Sequence, residues 1–168
     1  ARGWQEDFNE NSLQLRTLFF EGEFGEIFPR LDDNDRRSLD YGISVGRQPL
    51  LLQDGLLVND DSVDMVTITR NALLPSFGSQ LRVSGLFAWN ELERNNNIEA
   101  GTSKMFGLDS YMDLSHSTVS ADALYVLNGS RSDGLYFGLG SVQRIGRFNT
   151  TFRAAHSIAM EAESAAVS

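Results

Sequence analysis

Six charged side chains in this sequence fall where they could act as a group. Arg16, Arg82 and Arg153, with Asp109, Asp113 and Asp122, all sit on the polar side of a two-residue alternation. Opposed charges along one wall set ion preference and orient polar solutes that pass it. The same residues could also pair with one another and hold an interior together. A second acidic group, Asp54, Asp60 and Asp61 with Asp64 beside it, falls in a stretch expected as a long loop, Pro49–Ser62. Folded inward, such a loop would constrict a pore.

Other chemistry finds little support. His116 falls in an expected turn and His156 on an otherwise apolar strand face. Neither has a nearby partner at the spacing of a triad or a metal site, so no catalytic residue, metal or cofactor is expected. The run Asp32-Asp33-Asn34-Asp35 lacks the spaced acids, the Gly and the closing Glu of an EF-hand, and reads as a solvated turn. The glycines from Gly134 to Gly140 neither follow a strand nor open a helix. They fail as a phosphate cradle and read as inward glycines that relieve crowding along a strand.

The elements that must carry these side chains follow from the alternation itself. From Gln80 to Asn90, Leu81, Val83, Gly85, Phe87 and Trp89 share one face, against Gln80, Arg82, Ser84, Ala88 and Asn90, with Leu86 the exception. Phe106–Ser115 and Phe148–Ile158 repeat the beat. Period two is a strand signal, and about nine to eleven tilted residues is also what a strand needs to cross a bilayer. Eight strands are expected: Ser12–Glu23, Ser38–Gln48, Val63–Asn71, Gln80–Glu91, Met105–Ser115, Thr118–Asn128, Gly134–Arg144 and Phe148–Met160. In the third, Val63 and Met65 run out of phase with Val66 and Ile68, for which a β-bulge is one account. In the sixth, Leu124 and Val126 blur the inner face. Beyond Met160 the Ala- and Glu-rich tail is left open.

Composition narrows the class. The 168 residues fit one domain, 1–168, with ordinary charged and apolar fractions. The net charge of −9 disfavours nucleic acid, and the absence of Cys suits an oxidising envelope. No apolar run approaches the roughly twenty residues of a membrane helix. The polar faces are rich in Ser, Thr, Gly, Asn and Asp, and Lys104 is the sole Lys, which suits a crowded wet interior better than an outer surface. Links alternate short (His116-Ser117; Ile145-Gly146-Arg147) and long (Pro49–Ser62; Leu92–Lys104), with Phe24–Arg37 breaking the rule. Trp89, Phe106, Tyr125, Tyr136 and Phe137 fall near the long-loop rim, where an interfacial girdle belongs. The fold expected is therefore all-β, an antiparallel up-and-down transmembrane β-barrel.

The stretches YGISVGRQ (Tyr41–Gln48), QDGLLVNDD (Gln53–Asp61) and LGSVQRIGRFNTTFRAAHS (Leu139–Ser157) resemble Gram-negative outer-membrane porins, in particular the alginate-export-like group. The likeness covers most of the chain from Ser38 onward and is one of texture, with no diagnostic motif. It implies a channel for ions or small polar solutes in the outer membrane of a Gram-negative bacterium, with the lipid bilayer as its main partner and a second copy or another envelope protein as further ones. Chains of that group close with an aromatic residue and this one ends in Val167-Ser168, so a segment of a larger barrel is expected, with a closed eight-stranded barrel filled by side chains as the alternative. Two rival readings stand beside it. One is a soluble envelope β-barrel or sandwich acting as a binding module; the other is a barrel scaffold around another protein.

Overall fold

The computed structural model describes residues 15–31, 40–73, 80–90, 93–94, 98–99, 103–127 and 133–160. Eight long strands form one antiparallel sheet in chain order: β1 (Leu18–Glu23), β2 (Tyr41–Leu52), β3 (Val58–Leu73), β4 (Gln80–Asn90), β7 (Lys104–Asp113), β8 (Ser117–Leu127), β9 (Asp133–Ile145) and β10 (Phe148–Met160). Two-residue strands β5 (Glu93–Arg94) and β6 (Ile98–Glu99) pair within the connection from β4 to β7. A four-residue helix, α1 (Phe24–Ile27), and a 3-10 turn (Pro29–Leu31) follow β1. The expected run Asp32–Asp35 and the tail after Met160 lie outside the described residues.

The sheet is up-and-down, as the alternation implies, but it is not closed into a barrel. β1 and β10 are its two edges, and among the described residues neither pairs with the other. The edges are unequal: β1 has six residues against β2, whereas β10 has thirteen against β9.

Strand lengths differ from expectation where apolar residues extend them. Leu50, Leu51 and Leu52 prolong β2, and β3 starts at Val58, so the connection between them is only Gln53–Leu57 rather than Pro49–Ser62. Pro49, which has no N–H for the ladder, falls where the β2–β3 register shifts between Gln48 and Leu50. The β9–β10 hairpin closes through Gly146 and Arg147, with Gly146 at φ +60, the conformation that favours glycine.

The two faces of the sheet differ sharply. One, here called the concave face, is buried over its central strands and open at Arg82 and along most of β10. The upper part of this face packs Leu50, Leu52, Val63, Met65, Leu86, Ala88, Met105, Leu124 and Val126 into a buried cluster, flanked by Leu57, Val58 and Tyr136. The out-of-phase Val63 and Met65 belong to this cluster while Val66 and Ile68 face the other way. β3 pairs with β2 in unbroken register there. The irregularity lies on the β4 side, where Asp64 pairs with Asn90 and Met65 with Ala88. Both faces of β3 are simply apolar at that level.

The opposite, convex face carries the exposed large hydrophobics: Leu18, Phe20, Val45, Ile68, Phe106, Leu108, Phe137, Leu139, Phe152 and Ile158 among them. Phe87 stacks against Phe106 and Trp89, with ring centroids 4.8 and 5.8 Å apart. Tyr125 donates its hydroxyl to Asp133 at 3.1 Å. Tyr136 departs from the expected girdle: it shares the parity of Gly134 and Gly138, points to the concave side, and fills the space that Gly134 leaves.

Candidate functional site

Strand register lines up the polar half of the concave face into two adjacent rows. Arg82 of β4, Tyr111 of β7, Ser120 of β8, Gly140 of β9 and Arg153 of β10 are successive cross-strand partners. One step nearer the apolar cluster run Thr69, Ser84, Asp109, Asp122 and Gly138. Four of the six charged residues expected to act together therefore do meet: Arg82, Arg153, Asp109 and Asp122.

The contacts within the rows are specific. The Arg82 guanidinium lies 4.7 Å over the ring of Tyr111, a cation–π arrangement. Asp109 and Asp122 face one another across the β7–β8 pair, both buried. Asp113 lies one step lower, beside Gln80, and accepts the Thr118 hydroxyl at 2.7 Å. Arg16 does not join them. It precedes β1, is exposed, and offers only its backbone carbonyl, to Ser62 Oγ at 2.9 Å. The described strand starts at Leu18, and β1 extended back through Arg16 would set it beside Leu18 and Phe20 on the convex face, away from the polar set.

The element that crosses these rows is the inward part of the loop expected to constrict a pore, shorter than expected and anchored by Gln53, which the sequence did not single out. After Leu52 the chain turns into the concave face through a 3-10 turn at Gln53–Gly55. Gln53, Asp54 and Gly55 all have positive φ, at 53, 53 and 86. Two successive non-glycine residues in that region are uncommon, and each costs of order 1 kcal/mol or more. Tertiary contacts hold them. Gln53 is 3 % exposed and donates its amide to Ser120 Oγ at 3.0 Å and to Asp122 Oδ2. Asp54 pairs with Arg153 Nη2 at 2.7 Å. Gly138 and Gly140 make the room: a Cβ at Gly138 would meet Gln53 and Leu57, and one at Gly140 would meet Gln53 and Ser120. These are among the inward glycines expected to relieve crowding, whereas nothing in the sequence marks Gln53.

The expected acidic constriction thus reduces to one residue. Asp54 lies in the inward turn. Asp60 and Asp61 are strand residues of β3, with Asp60 opposite Leu50 and its carboxylate accepting the Ser62 backbone N–H at 3.1 Å. Asp64 lies on the convex face, held by both Nε and Nη2 of Arg47 at 2.9 Å. The reason is the strand extension described above, which leaves five residues of loop.

A hollow of about 420 Å³ opens on the concave side between β1 and β4. Glu21, Glu23 and Glu26 form one wall, Arg82 another, with Ser44, Thr67, Thr69 and Asn71 between. His116 lies in the β7–β8 turn, where its carbonyl accepts the Arg144 N–H at 3.1 Å, and His156 lies opposite Phe137 on the convex face. Among the described residues no three His, Asp or Glu side chains form a group able to hold a metal ion. The geometry can bind and orient charged or hydroxylated solutes.

No protein-family model, curated protein or solved structure matches this chain. Its function is argued from the sheet alone.

Proposed function

We propose that this chain forms the wall of a porin-like outer-membrane β-barrel, passing ions or small polar solutes along its concave face. The observation that carries the reading is the inverted dress of the sheet. Near mid-strand on the open face, Leu108 is 60 % and Leu139 57 % exposed, and Phe152 is 62 % exposed. The concave face carries Arg82, Asp109, Asp122 and Arg153.

Magnitudes favour lipid as the cover. Fully burying one Leu, Ile or Phe is worth about 1.5–3 kcal/mol, so leaving ten of them half exposed forgoes roughly 10 kcal/mol. That is comparable to the whole stability of an ordinary domain, about 5–15 kcal/mol. A bilayer supplies the missing contact without a partner protein. No helix among the described residues is long and apolar enough to cross a membrane, so any crossing is made by the strands. β8, at eleven residues, has the length for it. The charged residues of the convex face fall at two levels of the sheet. Arg47 with Asp64, Lys104 and Asp133 lie at one level and Arg70, over Tyr41 at 4.6 Å, towards the other. The two sheet edges require further strands, because unpaired backbone groups are not tolerated in hydrocarbon. A larger barrel, of which this sheet is one segment, meets that requirement.

The test is behaviour in lipid. The purified chain is expected to need detergent, to migrate differently on a gel with and without prior heating, and to give step conductances in a planar bilayer. A monodisperse preparation without detergent refutes the membrane reading. A second reading follows from the apolar cluster of the upper concave face: a filled interior also suits a lipid-embedded scaffold that does not conduct. Heat-modified mobility without conductance decides for it.

A further inference from the structure

We propose that the Gln53–Leu57 turn is a two-position gate, closed by the Asp54–Arg153 pair and opened when that pair is broken. Three observations converge on this turn. Its backbone is strained, with three successive residues at positive φ, and such a conformation persists only while its surroundings hold it. It bridges distant parts of the sheet, joining the end of β2 to β8 through Gln53 and to β10 through Asp54. Its fastenings are also unequal.

Gln53 is buried against Ser120 and Asp122, yet among the described residues its Oε1 has no hydrogen-bond partner, nor has Asp122 Oδ1 or Arg153 Nε. A buried polar cluster with three unmet atoms is a poor permanent anchor. The outer fastening is accessible: the Asp54 side chain is 71 % exposed, against 18 % for Arg153. Salt screens an exposed pair of this kind, and its net stabilisation is small. The strain therefore opposes a clasp that is open to solvent at one end.

Closed, the turn lies over the Ser120–Gly140–Arg153 part of the polar row. Released, it frees the Arg153 guanidinium and the Asp122 carboxylate to the concave space. This consequence for passage rests on the channel reading above; the movement of the turn does not.

The chain has no Cys, so a single Leu57→Cys reporter in the full chain, folded in detergent micelles, reads the gate through its rate of reaction with a maleimide. Leu57 packs against the apolar cluster and near Gly138 when the turn is closed. In the reporter background, Asp54→Asn keeps a residue type that accepts positive φ and removes the charge. It is expected to raise the labelling rate about two- to fivefold. Raising salt from 0.1 to 1 M is expected to speed labelling of the reporter chain several-fold and to leave the Asp54→Asn variant unchanged. Arg153→Gln serves as the partner variant and is expected to match Asp54→Asn. Unheated gel mobility confirms that each variant keeps its sheet. Equal rates in all variants, independent of salt, overturn the gate. Bilayer conductance is scored separately. Faster labelling without conductance upholds the gate and refutes the channel, while conductance with unchanged labelling does the reverse.

Discussion

Leu108→Arg separates a lipid-facing convex surface from a water-facing one. Leu108 sits near the middle of β7, between Gly85 of β4 and Ala123 of β8. It is four residues from Lys104, the start of its strand. At about 3.4 Å per residue and a tilt of about 40°, that places it roughly 10 Å below the strand end, close to the midplane of a band about 25 Å tall. No carboxylate lies beside it: its cross-strand neighbours are Gly and Ala, and nothing falls within 4 Å of a Cβ built on Gly85.

An arginine at the midplane of a lipid-facing strand costs about 2–4 kcal/mol, or about a 30- to 900-fold loss in the folding equilibrium. On a water-facing surface the same change to a side chain 60 % exposed falls within about 0.5 kcal/mol of zero. The assay is a urea titration of the chain folded into short-chain lipid vesicles, followed by tryptophan emission and unheated gel mobility. Phe148→Arg, in the β9–β10 turn region, is the control and should cost about 0–1 kcal/mol as an interfacial position. A Leu108→Arg cost no larger than the control's refutes the assignment of the convex face to lipid.

Three further outcomes are expected in the same titration. Leu124→Ala removes a side chain 1 % exposed at the centre of the concave apolar cluster and should destabilise by about 2–5 kcal/mol. Gly146→Ala meets no neighbour within 4 Å, so its cost isolates the left-handed backbone, about 1 kcal/mol, seen as a lower urea midpoint at unchanged slope. A double-mutant cycle on Arg47→Ala and Asp64→Ala, which removes both partners of the paired hydrogen bonds, should give a coupling of about 1 kcal/mol at low salt that shrinks in 1 M salt.

The strands were legible because period two is imposed by the pleat on every residue of a strand. β10 runs from Phe148 to Met160 as the alternation predicts, and β4 starts at Gln80. Residues that broke the alternation proved as informative as those that kept it. Leu86 in β4, Leu124 and Val126 in β8, and Val63 with Met65 in β3 are all members of the one buried cluster. An apolar residue on the polar side of such a strand marks where the interior is packed rather than wet. Parity also brought Arg82, Arg153, Asp109 and Asp122 to one face, though it could not say that they fall in adjacent rows, because register depends on pairing. The inward fold of the turn was open to reading through Asp54, but what anchors it was not. A loop's direction depends on what receives it, and the receptor is two glycines on β9, over eighty residues away. Gly138 and Gly140 have meaning only with Gln53 between them.

The division of the concave face explains why the strained turn lies where it does. The upper rows are mainly apolar: Val63 and Ala88 are fully buried and the cluster is continuous from β2 to β8, with Gln48 and Asp60 buried at the same levels. The lower rows hold two buried carboxylates and two guanidinium groups. Taking such charges out of water costs several kcal/mol each unless pairing and hydrogen bonds compensate. β4 and β8 each cross the boundary along their inward face, with Arg82 and Ser84 below Leu86 in β4 and Ser120 and Asp122 below Leu124 in β8. The Gln53–Leu57 turn supplies apolar and polar contacts from one short segment. Leu57 packs up against the apolar cluster, while Gln53 and Asp54 reach down to Asp122 and Arg153. Pointing successive side chains both up and down within five residues requires a tight reversal, which is what the left-handed run at Gln53, Asp54 and Gly55 provides. On the channel function proposed above, a passing solute moves by the boundary that this turn occupies, and selectivity and control would then fall on the same few residues.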